Sequence, residues 1–380
     1  MTTRADPATT ASMNGVHVFT PEEIEAEQAA GELLHKWQLR TLADAYAPRP
    51  PLHYVIQDLL PAPSLAVVYG GPGSLKSMLL ADLATCVVAG ERWLEPLPGK
   101  KATSLAVSQA AVLWIDFDNG KRRTDERVEA FARARNLPAD APMHYVSMPN
   151  PWLNAGQLPM MVELAKLVRY LKARLVIVDN LGLVTGDAEE NSAAMAQVMG
   201  NLRWLCEEAE CAVIVVHHQR KSGGQNDKGI RKGETLRGHS SIEAALDLAL
   251  LVERKENSDS VVIIPTKVRG FRAFDFLGAM FTYTHRDGTT DMATARFWGE
   301  EALSMDERER LTIHANVKAI LRVAGPMAQG DLVTEIRDTL AGINDKAPGV
   351  NRVRGLIKAM VDEGIISAQG RGTKVTYALI

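Results

Sequence analysis

The sequence predicts an α/β fold with a mainly parallel central sheet, followed by a smaller second domain, and three observations carry that prediction. Short apolar runs recur at 65–69, 112–117, 175–178 and 212–216, about the length of buried parallel strands. The segments between them are long enough for crossover helices, which makes the layout an α/β sandwich. Beyond a charged stretch at 300–312, residues 313–380 show three apolar helical faces and then a hairpin pattern. The expected organisation is a disordered tail at 1–19, a helix and linker at 20–50, a large α/β domain at 51–299, a linker at 300–312 and a small domain at 313–380.

The start of the helix is legible in Thr20, Pro21, Glu22 and Glu23, which supply an N-cap, a proline at the first helical position and acidic first-turn residues. The helical pattern runs over 20–46 until Pro48, Pro50 and Pro51 stop it. Two further β-rich runs, 261–266 and 280–284, read as an antiparallel extension of the parallel sheet. With 46% hydrophobic and 23% charged residues among 380, the chain can build a full-sized core. A net charge of −3 excludes a protein that coats polyanions with its whole surface, so nucleic-acid contact must be local. Cys86, Cys206 and Cys211 lack metal-ligand spacing and point neither to a disulfide framework nor to zinc. No apolar run is long enough to span a bilayer and the first residues lack a hydrophobic signal core, so a cytoplasmic protein is expected.

The chemistry begins at 70–77. Gly70, Gly71, Pro72, Gly73, Ser74, Leu75, Lys76 and Ser77 follow a predicted strand and lead, through Met78, into a predicted helix over 78–88. Glycines let successive backbone N–H groups turn toward phosphates, and the helix N-terminus adds positive partial charge. Lys76 would reach the β and γ phosphates of ATP, and the Ser77 hydroxyl would ligate Mg²⁺. Glycine usually precedes the lysine, and Leu75 stands in its place. Leu75 still offers its amide, and its proximity to the helix is expected to give it right-handed dihedrals.

The run Leu175, Val176, Ile177, Val178 ends in Asp179, the arrangement that holds Mg²⁺ through water. The strand at 112–115 runs into Asp116, Phe117, Asp118 and Asn119. A carboxylate there can orient the attacking water, with Asp118 the first candidate and Asp116 the second; the alternative is a turn that caps the next helix. The run at 212–216 ends in His217 and His218, one of which can sense the γ-phosphate and pass its state to the following loop.

Taken with these features, the run Asp187, Ala188, Glu189, Glu190, Asn191, Ser192, Ala193, Ala194, Met195, Ala196, Gln197, Val198, Met199, Gly200, closed by His217 and His218, resembles the RepA-type hexameric replicative helicases of plasmids, within the RecA/DnaB-like superfamily. Arg237, Gly238, His239, Ser240 and Ser241 are similar to that family's Arg-Gly-Ser-Ser segment, and the resemblance covers about 52–298. It implies a RecA-like P-loop core and a homo-oligomer, a ring of six with ATP sites at subunit interfaces. Lys76 and Ser77 would be the phosphate and metal contacts, Asp179 the Mg²⁺ carboxylate, Asp118 the counterpart of a catalytic glutamate, and His218 or His217 the sensor. Arg237 falls on an arginine finger supplied by the neighbouring subunit. Lys267 and Arg269 fall near a second pair of contacts made in trans. The chain departs from the family in Leu75 for glycine, Asp118 for glutamate, and an added C-terminal domain.

The loop at 219–236 carries Arg220, Lys221, Lys228, Arg231 and Lys232 among glycines and no aromatic residue. It resembles the mobile loop that RecA-like assemblies place against single-stranded DNA, by phosphate contact rather than base stacking. The C-terminal segment reads as a winged helix. Arg352, Arg354 and Lys358 lie largely off the apolar face of its third helix, and Arg371 and Lys374 lie on the wing, where such a module meets duplex DNA. Protein docking is the other use of this module. The expected function is an ATP-hydrolysing oligomeric DNA motor, a RepA-like helicase of DNA replication. Its rival is a non-translocating ATP switch such as a loader, regulator or defence-system component.

Overall fold

A computed structural model describes residues 20–186, 193–218, 240–254, 258–270, 276–301, 305–344, 348–370 and 375–380. The chain divides into two compact units, Met1–Leu52 and His53–Ile380. In the first, α1 (Pro21–Lys36) opens on a reciprocal cap: Thr20 N donates to Glu23 and Glu23 N donates to Thr20 Oγ1. The helical pattern over 20–46 is interrupted after Lys36, and α2 (Leu42–Tyr46) begins afresh on its own capping box from Thr41 and Asp44.

The second unit runs β1 (His53–Ile56), β2 (Leu60–Ala62), β3 (Ser64–Gly70), α3 (Lys76–Ala89), β4 (Ala111–Asp116), α4 (Lys121–Arg133), β5 (Met143–Ser147), α5 (Leu158–Leu171), β6 (Ala173–Asp179), α6 (Ala193–Ala209) and β7 (Ala212–His218). It continues with α7 (Ser240–Ala245), β8 (Leu248–Arg254), β9 (Ser260–Val268), β10 (Leu277–His285) and β11 (Met292–Glu300). A nine-stranded sheet has the order β11-β10-β9-β8-β3-β7-β6-β4-β5. The strands from β8 to β5 in that order are parallel, and β9, β10 and β11 extend the sheet antiparallel.

The four predicted strands are continuous apolar runs because both faces of the sheet are covered. Alternate residues go to opposite sides: Ala66 and Val68 join a core with α3 residues, while Leu65, Val67 and Tyr69 join one with α5 and α6 residues. The first core also holds a buried ion pair. Arg135 Nη2, beyond α4, donates to Asp82 Oδ1 of α3 at 2.7 Å, and the same oxygen accepts from Phe297 N of β11 at 3.0 Å. It ties α3, α4 and the last strand together, and breaking such a pair costs about 3–5 kcal/mol because a charge is left buried.

Three strands of the nine-stranded sheet escape the sequence pattern. Edge strand β5 is half-exposed and mixed in character, and β11 mixes small, polar and aromatic residues with no apolar run. β8 continues the Ala- and Leu-rich run of α7, which periodicity alone cannot divide.

Another helix, α8 (Met305–Ala324), starts inside the stretch read as linker. It is followed by β12 (Met327–Ala328), α9 (Gln329–Asn344), α10 (Val350–Asp362), β13 (Ile366–Gln369) and β14 (Thr376–Leu379). The strands form a three-stranded antiparallel sheet of order β12-β14-β13. Of the apolar faces read from the sequence, Val317, Leu321, Leu332, Val333, Ile336, Leu340, Val353, Leu356, Ile357 and Met360 are buried in one separate cluster, and Ile320 and Val350 are partly buried against it.

Candidate active site

Parallel pairing brings the carboxyl ends of β3, β7, β6 and β4 to one edge of the sheet. Gly70 pairs with His218 and Asp116 with Asp179. Ligands bind in the crevice outside such strand ends. The loop after β3 enters α3 at Lys76, so the first amides of the helix open into this crevice.

Gly70 is required by packing: a Cβ there would stand 2.3 Å from the carbonyl oxygen of Val252 in β8. Leu75, the N-cap of α3, lies at φ 66° and ψ 19°, in the left-handed region. This corrects the expected right-handed dihedrals. The usual glycine takes the left-handed form freely, whereas for leucine it costs about 1–2 kcal/mol.

The Lys76 ammonium is buried and donates to the carbonyls of Gly70 at 3.0 Å and Gly71 at 2.9 Å, and to Ser74 Oγ at 3.3 Å. Burial pulls its pKa down, and Asp179 and Asp118 act against that pull. Asp179 is fully buried, and among the described residues no well-formed hydrogen bond reaches either carboxylate oxygen, although the Ser77 hydroxyl stands close enough to act on it. Desolvation pushes its carboxyl up to about 6; the Ser77 hydroxyl offsets part of this, and Asp116 and Asp118 reinforce it. A buried carboxylate without donors beside a hydroxyl suits a hard cation, and Mg²⁺ takes one or two carboxylates together with phosphates and water. Asp179 and Ser77 would hold it, and it would neutralise charge on the phosphates.

The raised pKa has a consequence for stability. A carboxyl at about 6, against an ordinary 3.8, favours the fold below pH 3.8 and penalises it as pH rises through 6, by up to roughly 3 kcal/mol. Asp179→Asn is therefore expected to raise the melting temperature of nucleotide-free protein at pH 8 and not at pH 4, while abolishing ATPase activity. Equal melting of parent and variant at pH 8 would remove the penalty.

The two candidates on β4 separate cleanly in geometry. Asp116 accepts from Asp118 N, from Asn119 N and Nδ2, and from Thr124 Oγ1, at 2.8–3.1 Å, so it holds the turn into α4. Asp118 stands in the crevice. Its Oδ2 accepts from Asn180 Nδ2 at 2.7 Å and lies 3.5 Å from His218 Nε2. His217 is buried and pairs with Tyr69 in the ladder, and His218 is exposed. Asn180 was not singled out by sequence reasoning, although it directly follows Asp179. Arg254 also went unnoticed; it ends β8, and its guanidinium reaches the Gly73 carbonyl at 3.2 Å.

Lys267 and Arg269 lie elsewhere. β9 runs antiparallel to β8, with Leu248 opposite Val268 and Arg254 opposite Val261, so they stand at the end of the sheet opposite the phosphate loop. Seven residues of β3 separate the two ends, about 20 Å. Lys267 Nζ donates to the Glu243 carbonyl, and Arg269 donates to that of Ala244 at 2.7 Å, so both hold the end of α7. Arg237, Arg220, Lys221, Lys228, Arg231, Lys232, Arg371 and Lys374 lie outside the described residues. Arg352, Arg354 and Lys358 are exposed on α10, whose Val353, Leu356, Ile357 and Met360 are buried.

A strand, a glycine-rich loop and a helix with this lysine, serine and neighbouring carboxylate define a P-loop ATPase fold. Residues 33–224, half of the chain, match the family described as AAA domain, and the chain belongs to that family. No curated protein matches the sequence significantly. Among solved structures, one described as an ATPase domain aligns with a TM-score of 0.41 at 14% identity, covering 57% of this chain and 81% of that one. The RadB recombinase aligns with a TM-score of 0.41 at 15% identity, covering 58% of this chain and 88% of that one. Among the described residues no helix is long and apolar enough to cross a membrane.

Proposed function

We propose that the chain is an ATP-hydrolysing oligomeric DNA motor related to the RepA-type replicative helicases. One observation carries the reading: Asp118 Oδ2 lies 3.5 Å from His218 Nε2, and His218 is the last residue before the basic segment 219–236. In this reading Lys76 holds the β and γ phosphates, Ser77 and Asp179 hold Mg²⁺, and Asp118 orients the attacking water. Loss of the γ-phosphate would shift the Asp118–His218 contact, and His218 would pass that change to Arg220, Lys221, Lys228, Arg231 and Lys232 on single-stranded DNA. In a ring, hexameric by resemblance, Lys267 and Arg269 would be contacts made in trans, since they stand too far from their own phosphate loop to serve it. Arg237 would join them as a cation supplied by the neighbour.

The C-terminal order, helix, strand, two helices and a hairpin, supports the winged-helix reading, in which Arg352, Arg354 and Lys358 would be the duplex contacts. Purified protein is expected to unwind a forked duplex with ATP and Mg²⁺, and its ATPase to rise with single-stranded DNA. Neutralising Arg352, Arg354 and Lys358 should weaken duplex binding and leave the single-strand response intact. The salt dependence should flatten by nearly one logarithmic unit for each phosphate that the protein no longer neutralises. Hydrolysis without unwinding, together with unchanged duplex affinity in that variant, would favour the non-translocating switch whose C-terminal domain docks a protein.

A further inference from the structure

We propose that Arg254 is a positioning residue for the nucleotide, which fixes the phosphate loop from outside through the carbonyl of Gly73. The inference rests on ATP lying in the phosphate loop and on nothing further in the proposed function. β8 pairs with β3 as far as Tyr69 opposite Leu251, so Val252, Glu253 and Arg254 continue beside the loop. The approach is close enough that Gly70 has no room for a Cβ against the Val252 carbonyl. Arg254 Nη1 donates to Gly73 O at 3.2 Å, while Nε donates to Ser258 O at 2.6 Å and Nη2 to Asp259 Oδ1 at 3.2 Å. Two of its three contacts therefore hold the guanidinium to its own strand connection, and the third reaches across to the loop. An exposed pair with Asp259 alone would be worth little. The bond to Gly73 gives the arrangement its use.

The loop needs that support. Leu75 occupies a left-handed conformation that a side chain disfavours, so the backbone between Gly73 and Lys76 is under strain that glycine would not carry. The bonds from Lys76 to Gly70 and Gly71 hold the loop from inside, but the same ammonium must serve the phosphates once they arrive. Arg254 binds a carbonyl outside that competition, so its hold persists when nucleotide enters.

The test is titration of the full-length protein with fluorescent ADP and ATP analogues, with melting of the nucleotide-free protein in parallel. Arg254→Met should raise both dissociation constants about tenfold, the worth of one hydrogen bond from a charged donor, and leave the melting temperature unchanged. KM should rise while kcat holds, because the loop grips ground and transition states alike. Adding Leu75→Gly should restore most of the affinity, since glycine relieves the strain that Arg254 opposes. Unchanged affinity in Arg254→Met overturns the proposal, and so does an equal loss in the Leu75→Gly background, which would mean direct contact with the nucleotide. Should Arg254→Met fail to fold, Arg254→Lys keeps the charge and must show an intermediate loss. Parent-like binding by Lys76→Ala would instead sink the assignment of nucleotide to this loop.

Discussion

Lys76→Ala is expected to abolish ATP hydrolysis and to weaken nucleotide binding. The ammonium is buried and held by two loop carbonyls, with Asp179 and Asp118 close enough to counter the desolvation of its charge. It is thus a cation already stripped of water and aimed where phosphate charge would develop, the arrangement in which removing one donor costs roughly 10²–10³ in rate. Two effects add to that. The Gly70 and Gly71 carbonyls lose their internal tie, so the loop relaxes. Asp179 loses the neighbouring charge of Lys76, which pushes its already raised carboxyl up and makes it compete less well for Mg²⁺ near neutral pH. Adding Mg²⁺ or raising the pH should therefore recover some binding but no turnover. Phosphate release at the parent rate by Lys76→Ala would show that the loop is not the hydrolytic site.

The strands β3, β4, β6 and β7 were legible because each is a continuous apolar run, and Asp179 and His218, which end β6 and β7, and Asp118, two residues beyond the end of β4, were singled out because polar groups where buried runs end lie at one edge of the sheet. The phosphate loop was legible from spacing alone. The handedness of Leu75 was not, since it is set by how the loop turns into α3 and goes against the preference of the leucine itself. β8 was hidden for a related reason. Its Leu and Ala residues suit a helix as well as a strand, and only the bond from Leu65 N to Asp247 and pairing with β3 decide between them. Arg254 and Asn180 share that origin: each acts on a residue brought to it by the sheet, Gly73 in one case and Asp118 in the other. The apolar faces of the C-terminal helices were readable from period, whereas the start of α8 was masked by the charged composition of its first turns.

Asp118→Asn is expected to spare nucleotide binding and to slow turnover by about 10²-fold or more, the usual worth of a group that orients or deprotonates a nucleophile. Asparagine keeps the shape and can still lie beside Asn180 and His218, so the fold has little reason to change; what it lacks is the negative charge that aligns water. Asp116 provides the contrast within one turn. Its oxygens take five hydrogen bonds from Asp118, Asn119 and Thr124, and an amide at that position must turn a donor toward at least one of those donors. Asp116→Asn should therefore lower the melting temperature, with activity falling as the turn carrying Asp118 loosens. Asp118 is a carboxylate where the resembling family carries a glutamate, one methylene longer, and the bond from Asn180 to Oδ2 fixes where the shorter arm points. Single-turnover hydrolysis with enzyme in excess isolates the chemical step, and melting curves run beside it separate the two carboxylates. A parent-like single-turnover rate in Asp118→Asn, with nucleotide bound as tightly as before, would make Asp118 a partner of Asn180 in the turn and leave the orientation of water to another group.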